Sequence, residues 1–199
     1  KSVVVTDTLQ SKEYGGGSTV YTLTIDGNIL NNGVIRDISS DDQLALEIWG
    51  NIENKGEWLH GFTKFSGSRA HQISALAGHI FSGQFSVLNS IGSITANSDV
   101  VFTGDFDLGK MMMDLQNNAI TFRKDKWLYN GELKNARLRN GMLSSLRLSG
   151  DTEINGYVQL AEGNDAVGNI TVNDTLTVIA YGGGSAAYTF VVHGNVVNK

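Results

Sequence analysis

Asp105 and Asp107 are separated by one residue in the run Val101-Phe102-Thr103-Gly104-Asp105-Phe106-Asp107-Leu108. Alternate residues of an extended strand share a face, so the two carboxylates are expected side by side, about 5–7 Å apart. That spacing suits the paired carboxylates of glycoside hydrolysis or lyase chemistry. It equally suits Ca²⁺ held together with neighbouring carbonyl oxygens. No Arg, Lys or His stands close in sequence to complete an acid–base set around Asp105. A solvated, outward face is therefore the favoured reading, and Asp41-Asp42 in the Ser-Ser-Asp-Asp corner is another acidic spot.

Trp49, Trp58, Trp127 and Tyr129 could form an aromatic platform for sugar rings. Trp49 sits beside an inward Ile and is expected to face out, which makes it a ligand-contact candidate together with Asp105 and Asp107. Trp58 aligns with an apolar repeat position and is expected in the core. Zinc needs three or four converging N, S or O ligands. His60, His71, His79 and His193 form no HxxxH pattern, and are read as scattered polar-face residues even though stacked coils could bring the first three together. Tyr14-Gly-Gly-Gly-Ser18 lacks the Gly-Lys-Ser/Thr ending of a phosphate loop, and no Asp follows as in the Ca²⁺-binding nonapeptide. It reads as a projecting loop. Met111-Met112-Met113 cannot all point inward from a strand.

Something must position these groups, and the composition says it is not a helix. Only 18% of residues are charged, and 24 Gly stand among abundant Asn, Ser and Thr. That mixture favours turns and short strands. Pro is absent, which fits a chain whose backbone N–H groups are all needed in ladders. Cys is absent too, so disulfide and thiol chemistry are excluded. A net charge of −5 without a basic cluster argues against nucleic acid as a partner. No run approaches the ~20 apolar residues of a membrane span, and no signal peptide is visible. The chain opens inside a strand-like run, as expected of mature or excised material.

Repeats at two scales give the architecture. Residues 5–32 and 172–199 align without a gap at an offset of 167, and half of the 28 positions are identical. The matches include Asp7/Asp174, Tyr21/Tyr188, Gly27/Gly194 and Asn28/Asn195, and the Gly-Gly-Gly-Ser at 15–18 returns at 182–185. This is expected to be a segment of a longer repeat array, with residues 1–199 as one unit. A shorter repeat is nested inside: residues 23–35 match 46–58 at an offset of 23, pairing Ile25 with Ile48, Gly27 with Gly50 and Asn31 with Asn54. Alternating apolar and polar residues bury one strand face, and a short strand cannot bury that face alone. Corners that return every 15–25 residues allow coils to stack about 4.8 Å apart. The fold expected is an all-β parallel β-helix, or β-solenoid, of short coils, with a right-handed turn. Asn at matching corners is expected to form side-chain ladders, and it tolerates the left-handed backbone of sharp corners. The competing fold is an antiparallel sandwich or barrel.

The phrases Phe62-Thr63-Lys64-Phe65-Ser66-Gly67-Ser68, Phe81-Ser82-Gly83-Gln84-Phe85 and Val101-Phe102-Thr103-Gly104 resemble the recurring phrase of repetitive secreted surface proteins of the Bacteroidetes. The Gly-Asn-Ile-x-Asn-x-Gly units are similar to those of filamentous-haemagglutinin-type and autotransporter β-helices. The resemblance implies a secreted, extracellular location on a bacterial surface and a structural or adhesive role. The implied partners are neighbouring repeats, like chains, surface glycans or host matrix components. Asp7-Thr8-Leu9 and Asp174-Thr175-Leu176 resemble the O-glycosylation site of exported Bacteroidetes proteins, which makes Thr8 and Thr175 candidates beside the plainer reading of a polar turn. A non-enzymatic segment without a cofactor is the expectation. A carbohydrate-active β-helix enzyme or glycan-binding module, and a self-assembling filament subunit, are the alternatives.

Overall fold

In the stretch Ile29–Asn31, Val34–Arg36 and Asp42–Ile48, three short strands are separated by two corners, and Ile29, Ile35, Leu44, Leu46 and Ile48 are buried. Period-two alternation sends these side chains inward, and the corners at Asn32-Gly33 and Ile38–Asp41 turn the chain before a strand can lengthen. The three strands make one coil. The next coil lies on it in parallel register, with Leu30 opposite Glu53, Ile35 opposite Trp58 and Leu46 opposite Thr63. The described residues repeat this plan along the chain. The computed structural model describes residues 1–12, 18–88, 92–179 and 188–199. Among these there is no helix, and parallel sheets stack as a β-solenoid. The Gly-rich runs at 15–17 and 182–184 lie outside the described residues.

The solenoid has three faces, visited in fixed order. The first begins with Val3–Val5 and Ile29–Asn31, the second with Thr8–Gln10 and Val34–Arg36, and the third with Thr19–Ile25 and Asp42–Ile48. The second face runs through the sheet of Thr8–Gln10, Val34–Arg36 and Glu57–Leu59. It continues through Phe81, which bridges Trp58 and Phe102, into a further six-stranded sheet. The other two faces merge into one 17-stranded sheet. They do so because Trp127–Lys134 and Gly141–Ser149 pair as long strands that turn from the third face into the first. The turn falls at Asn130 and Ser145, whose φ angles are 64° and 50°. Asn130, Asn135 and Asn140 all adopt this left-handed conformation, as expected of corner asparagines.

The interior is a continuous apolar column. On the second face Trp58, Phe81, Phe102 and Phe122 stand one above another. Phe102 stacks on Phe81 and on Phe122 at 5.4 Å in each case, with interplanar angles of 22° and 19°. Phe85 reaches across from the third face and meets Phe102 edge-on, at 5.0 Å and 75°. Each such ring contributes about 1.5–3 kcal/mol by burial, plus roughly 0.5–1.5 kcal/mol from ring geometry. Met113 is fully buried, Met111 sits buried at the corner after Lys110, and Met112 is half-exposed, so the three methionines divide as strand geometry requires.

Corner residues tie coil to coil. Asn31 and Asn54 are fully buried, and Asn31 Nδ2 donates to Asn54 Oδ1 at 2.8 Å. The Asn51 N–H donates to Asn28 Oδ1, and the Gln72 N–H to Asn51 Oδ1. Near the other end Asn173 bonds Asn155, and Asn195 bonds Asn169.

Coil length is not constant. Val3 pairs with Ile29, Leu30 with Glu53, Glu132 with Arg147, and Asp165 with Val191. The two long coils, Val3 to Ile29 and Asp165 to Val191, each contain one Gly-Gly-Gly-Ser. In the first copy of the long repeat Val5 pairs with Asn31 on the first face. In the second copy the same two positions, Val172 and Asn198, pair on the second face. The copy keeps its one-coil register and is turned on by one face.

Candidate functional site

Along the third face the outward positions of successive strands fall into two columns. One passes through Glu47, Lys64, Ser86, Asp107, Tyr129 and Ser144. The other passes through Ala45, Phe62 and Gln84, and further along through Trp127 and Met142. Asp105 lies between these two stretches: its Oδ1 accepts the Trp127 N–H at 2.9 Å. Between the columns runs a groove of about 400 Å³, lined by Val20, Phe62, Lys64, Gln84, Ser86, Asp105, Asp107 and Tyr129, among others. A shallow depression lined by Asp105, Trp127, Tyr129 and Ser144 adjoins it, and a further one lined by Trp127, Ser144, Glu162 and Tyr188, among others, adjoins that.

The structure therefore brings Asp105, Asp107, Trp127 and Tyr129 together on one face. The two carboxylates are half-buried rather than fully solvated. Each uses Oδ1 to hold the backbone. Asp107 Oδ1 accepts the Gly109 N–H at 2.9 Å and Asn130 Nδ2 at 3.0 Å, which fixes the corner above. These bonds leave Oδ2 of each aspartate for the groove. Burial pushes the Tyr129 phenol above its ordinary pKa, and the negative charges of Asp107 and then Asp105 push it further in the same direction. Tyr129 thus stays a neutral donor facing two acceptors. Lys64, two coils from Asp107, has no ion-pair partner among the described residues.

Trp49 is 42% exposed, as expected of an outward position, but it does not line this groove. Its indole Nε1 donates to Glu47 Oε1 at 3.2 Å. Trp58 is in the core, where its indole donates to Thr63 Oγ1. Thr8 is exposed and Thr175 half-buried, and the hydroxyl of each donates to the preceding aspartate, Asp7 or Asp174.

The reading of the histidines as polar-face residues stands for the exposed His193 and the half-exposed His79 and needs correction at the other two. His60 and His71 are buried inside the solenoid. His60 bonds the Leu44 carbonyl through Nδ1 and Thr63 Oγ1 through Nε2. His71 bonds the Gly50 carbonyl at 2.8 Å and packs on Phe65 at 4.9 Å. A polar ring enters the core here because a backbone carbonyl of another coil, within a strand at Leu44 and at a corner at Gly50, gives it a partner. Among the described residues no three His, Asp or Glu side chains converge as a metal site. Lys64 and Phe62 are groove residues that sequence reasoning did not single out. Their only signal was alternation, which every strand shares.

No family model, no curated protein and no solved structure matches this chain.

Proposed function

We propose that this chain is a non-enzymatic structural and adhesive segment of a large secreted protein on a bacterial surface, of the kind its repeat phrases resemble in the Bacteroidetes. The observation that carries this reading is the set of side-chain ladders joining successive coils, from Asn31–Asn54 to Asn169–Asn195. Each coil is pinned to the next by backbone pairing and by these bonds, so the body is stiff along its axis and suited to reach. Its partners in this reading are neighbouring repeats, like chains, and glycans or matrix at the surface. It needs no cofactor. Small-angle scattering is expected to give an elongated, monodisperse particle whose profile and melting temperature do not change on adding Ca²⁺ or a chelator. A compact or flexible ensemble, or a Ca²⁺-dependent shape, would overturn the reading.

A carbohydrate-active enzyme is the second reading, favoured by Asp105, Asp107 and Tyr129 lining one groove. It predicts release of sugar products that is lost in Asp105→Asn or Asp107→Asn.

A further inference from the structure

We propose that the third-face groove is a binding site for an extended, uncharged polysaccharide. The proposal adds a ligand to the adhesive reading above, and the stiffness of the rod does not depend on it.

The groove is long rather than cupped. Its first part shares Asp105 and Tyr129 with the next, and that part shares Trp127 and Ser144 with the one beyond. An occupant that fills it must be a chain lying along the solenoid axis. Successive strands stand about 4.8 Å apart, so the lining offers a new side chain at roughly that interval. The lining combines ring and polar groups: Phe62, Trp127 and Tyr129 supply apolar faces, while Asp105, Asp107 and Lys64 supply acceptors and a donor. Pyranose rings have apolar faces and hydroxyl rims, and this is the lining that matches both.

Two other chain-like ligands fit worse. An extended peptide binds a sheet by pairing with an edge strand. Here the groove floor is a sheet face whose backbone groups are taken by the coils on either side, as in Phe62–Ser66 between Ala45–Ile48 and Gln84–Leu88. A polyanion meets two carboxylates against one ammonium in the first part of the groove, and Glu162 beyond, on a chain of net charge −5. Like charge repels nucleic acids, polyuronates and sulfated glycans alike. Asp105 and Asp107 are also held in place by the bonds through Oδ1, so their outward oxygens are set before a ligand arrives.

The test is affinity electrophoresis and calorimetry of the purified chain against mixed-linkage β-glucan, galactomannan and xylan, with polygalacturonate and alginate as acidic counterparts. Retardation by at least one neutral polymer and by neither acidic one is expected. Trp127→Ala and Tyr129→Ala are each expected to weaken that binding at least tenfold, with circular dichroism and melting temperature reported for each. Tyr129→Phe keeps the ring and removes only the hydroxyl donor, so a smaller loss is expected there. Trp49→Ala, outside the groove, is expected to bind as the parent does. Silence across the neutral polymers, stronger binding to an acidic one, or unchanged binding in well-folded Trp127→Ala and Tyr129→Ala would overturn the proposal. Any of these results would leave the scattering test of the rod standing. Release of reducing ends would overturn the binding-only site together with the non-enzymatic reading.

Discussion

At His60 two effects oppose each other. Burial lowers its pKa to about 4, and the bond to the Leu44 carbonyl, which favours the charged ring, only partly offsets this. The unfolded chain carries the same ring near its ordinary value of 6.5. Between those values the unfolded state binds more protons than the folded one, so stability falls as pH drops through the window. The loss grows to roughly 3 kcal/mol by the time pH passes below the folded value. His71 is shifted down by burial as well and adds to the same slope. Urea midpoints measured from pH 7 to 4.5 are expected to decline, and His60→Gln is expected to flatten the decline. An equal slope in that variant would contradict the assignment. The Asn31–Asn54 pair is a second residue-scale device. Asn54 Oδ1 accepts from Asn31 Nδ2 and the Gly56 N–H, while its Nδ2 donates to the Ile80 carbonyl. Asn54→Ala strands buried partners on both sides and is expected to cost about 2–3 kcal/mol. A double-mutant cycle with Asn31→Ala should show coupling, because the two side chains share one bond.

Elements here are too short to be stable alone, and their stability comes from what lies above and below. Val100–Phe102 has three residues, yet Phe102 touches aromatic rings in the coils on either side. Phe102→Ala is expected to cost about 3–5 kcal/mol, since the stiff column around it can collapse only in part. Chemical denaturation reads this directly, and a loss under 1 kcal/mol would mean that the rings are not the spine of the fold. Close stacking also constrains the corners. A Cβ placed on Gly104 would overlap the Gly83 carbonyl oxygen, so Gly104→Ala must push two coils apart at that corner. Local loss of amide protection around residues 81–84 and 102–106 in hydrogen exchange is the expected signature.

The whole molecule is a stack in which each coil meets only its neighbours, so its stability is close to a sum of coil and interface contributions. Interior coils gain two interfaces and the outermost coils one. Val178 and Val196 are accordingly exposed on the last coil, although their register partners Leu160 and Ile170 are buried. Exposed strand edges of this kind pair with other chains. In the filament reading the isolated chain self-associates end to end. Val178→Lys with Val196→Lys is expected to reduce sedimenting oligomers at high concentration, and unchanged association would remove these edges from that reading.

What the sequence determined by itself was local and periodic. Alternation placed Asp105 and Asp107 on a shared face, and alignment with Ile35 in the short repeat placed Trp58 inside. Corner asparagines announced the ladders, and the offset of 23 between Ile25 and Ile48 announced parallel stacking, because like residues at like places serve a stack and not a sandwich. Tertiary structure decided everything that depends on coil length. Lys64, Ser86, Asp107, Tyr129 and Ser144 stand in one column, yet the steps between them run from 22 residues down to 15. No fixed offset aligns them, so a groove of aromatic rings and carboxylates stayed hidden in its parts. His60 and His71 were misplaced for a related reason. Whether a polar ring turns inward depends on a carbonyl from another coil, Leu44 for His60 and Gly50 for His71, and that partner exists only once the coils are stacked.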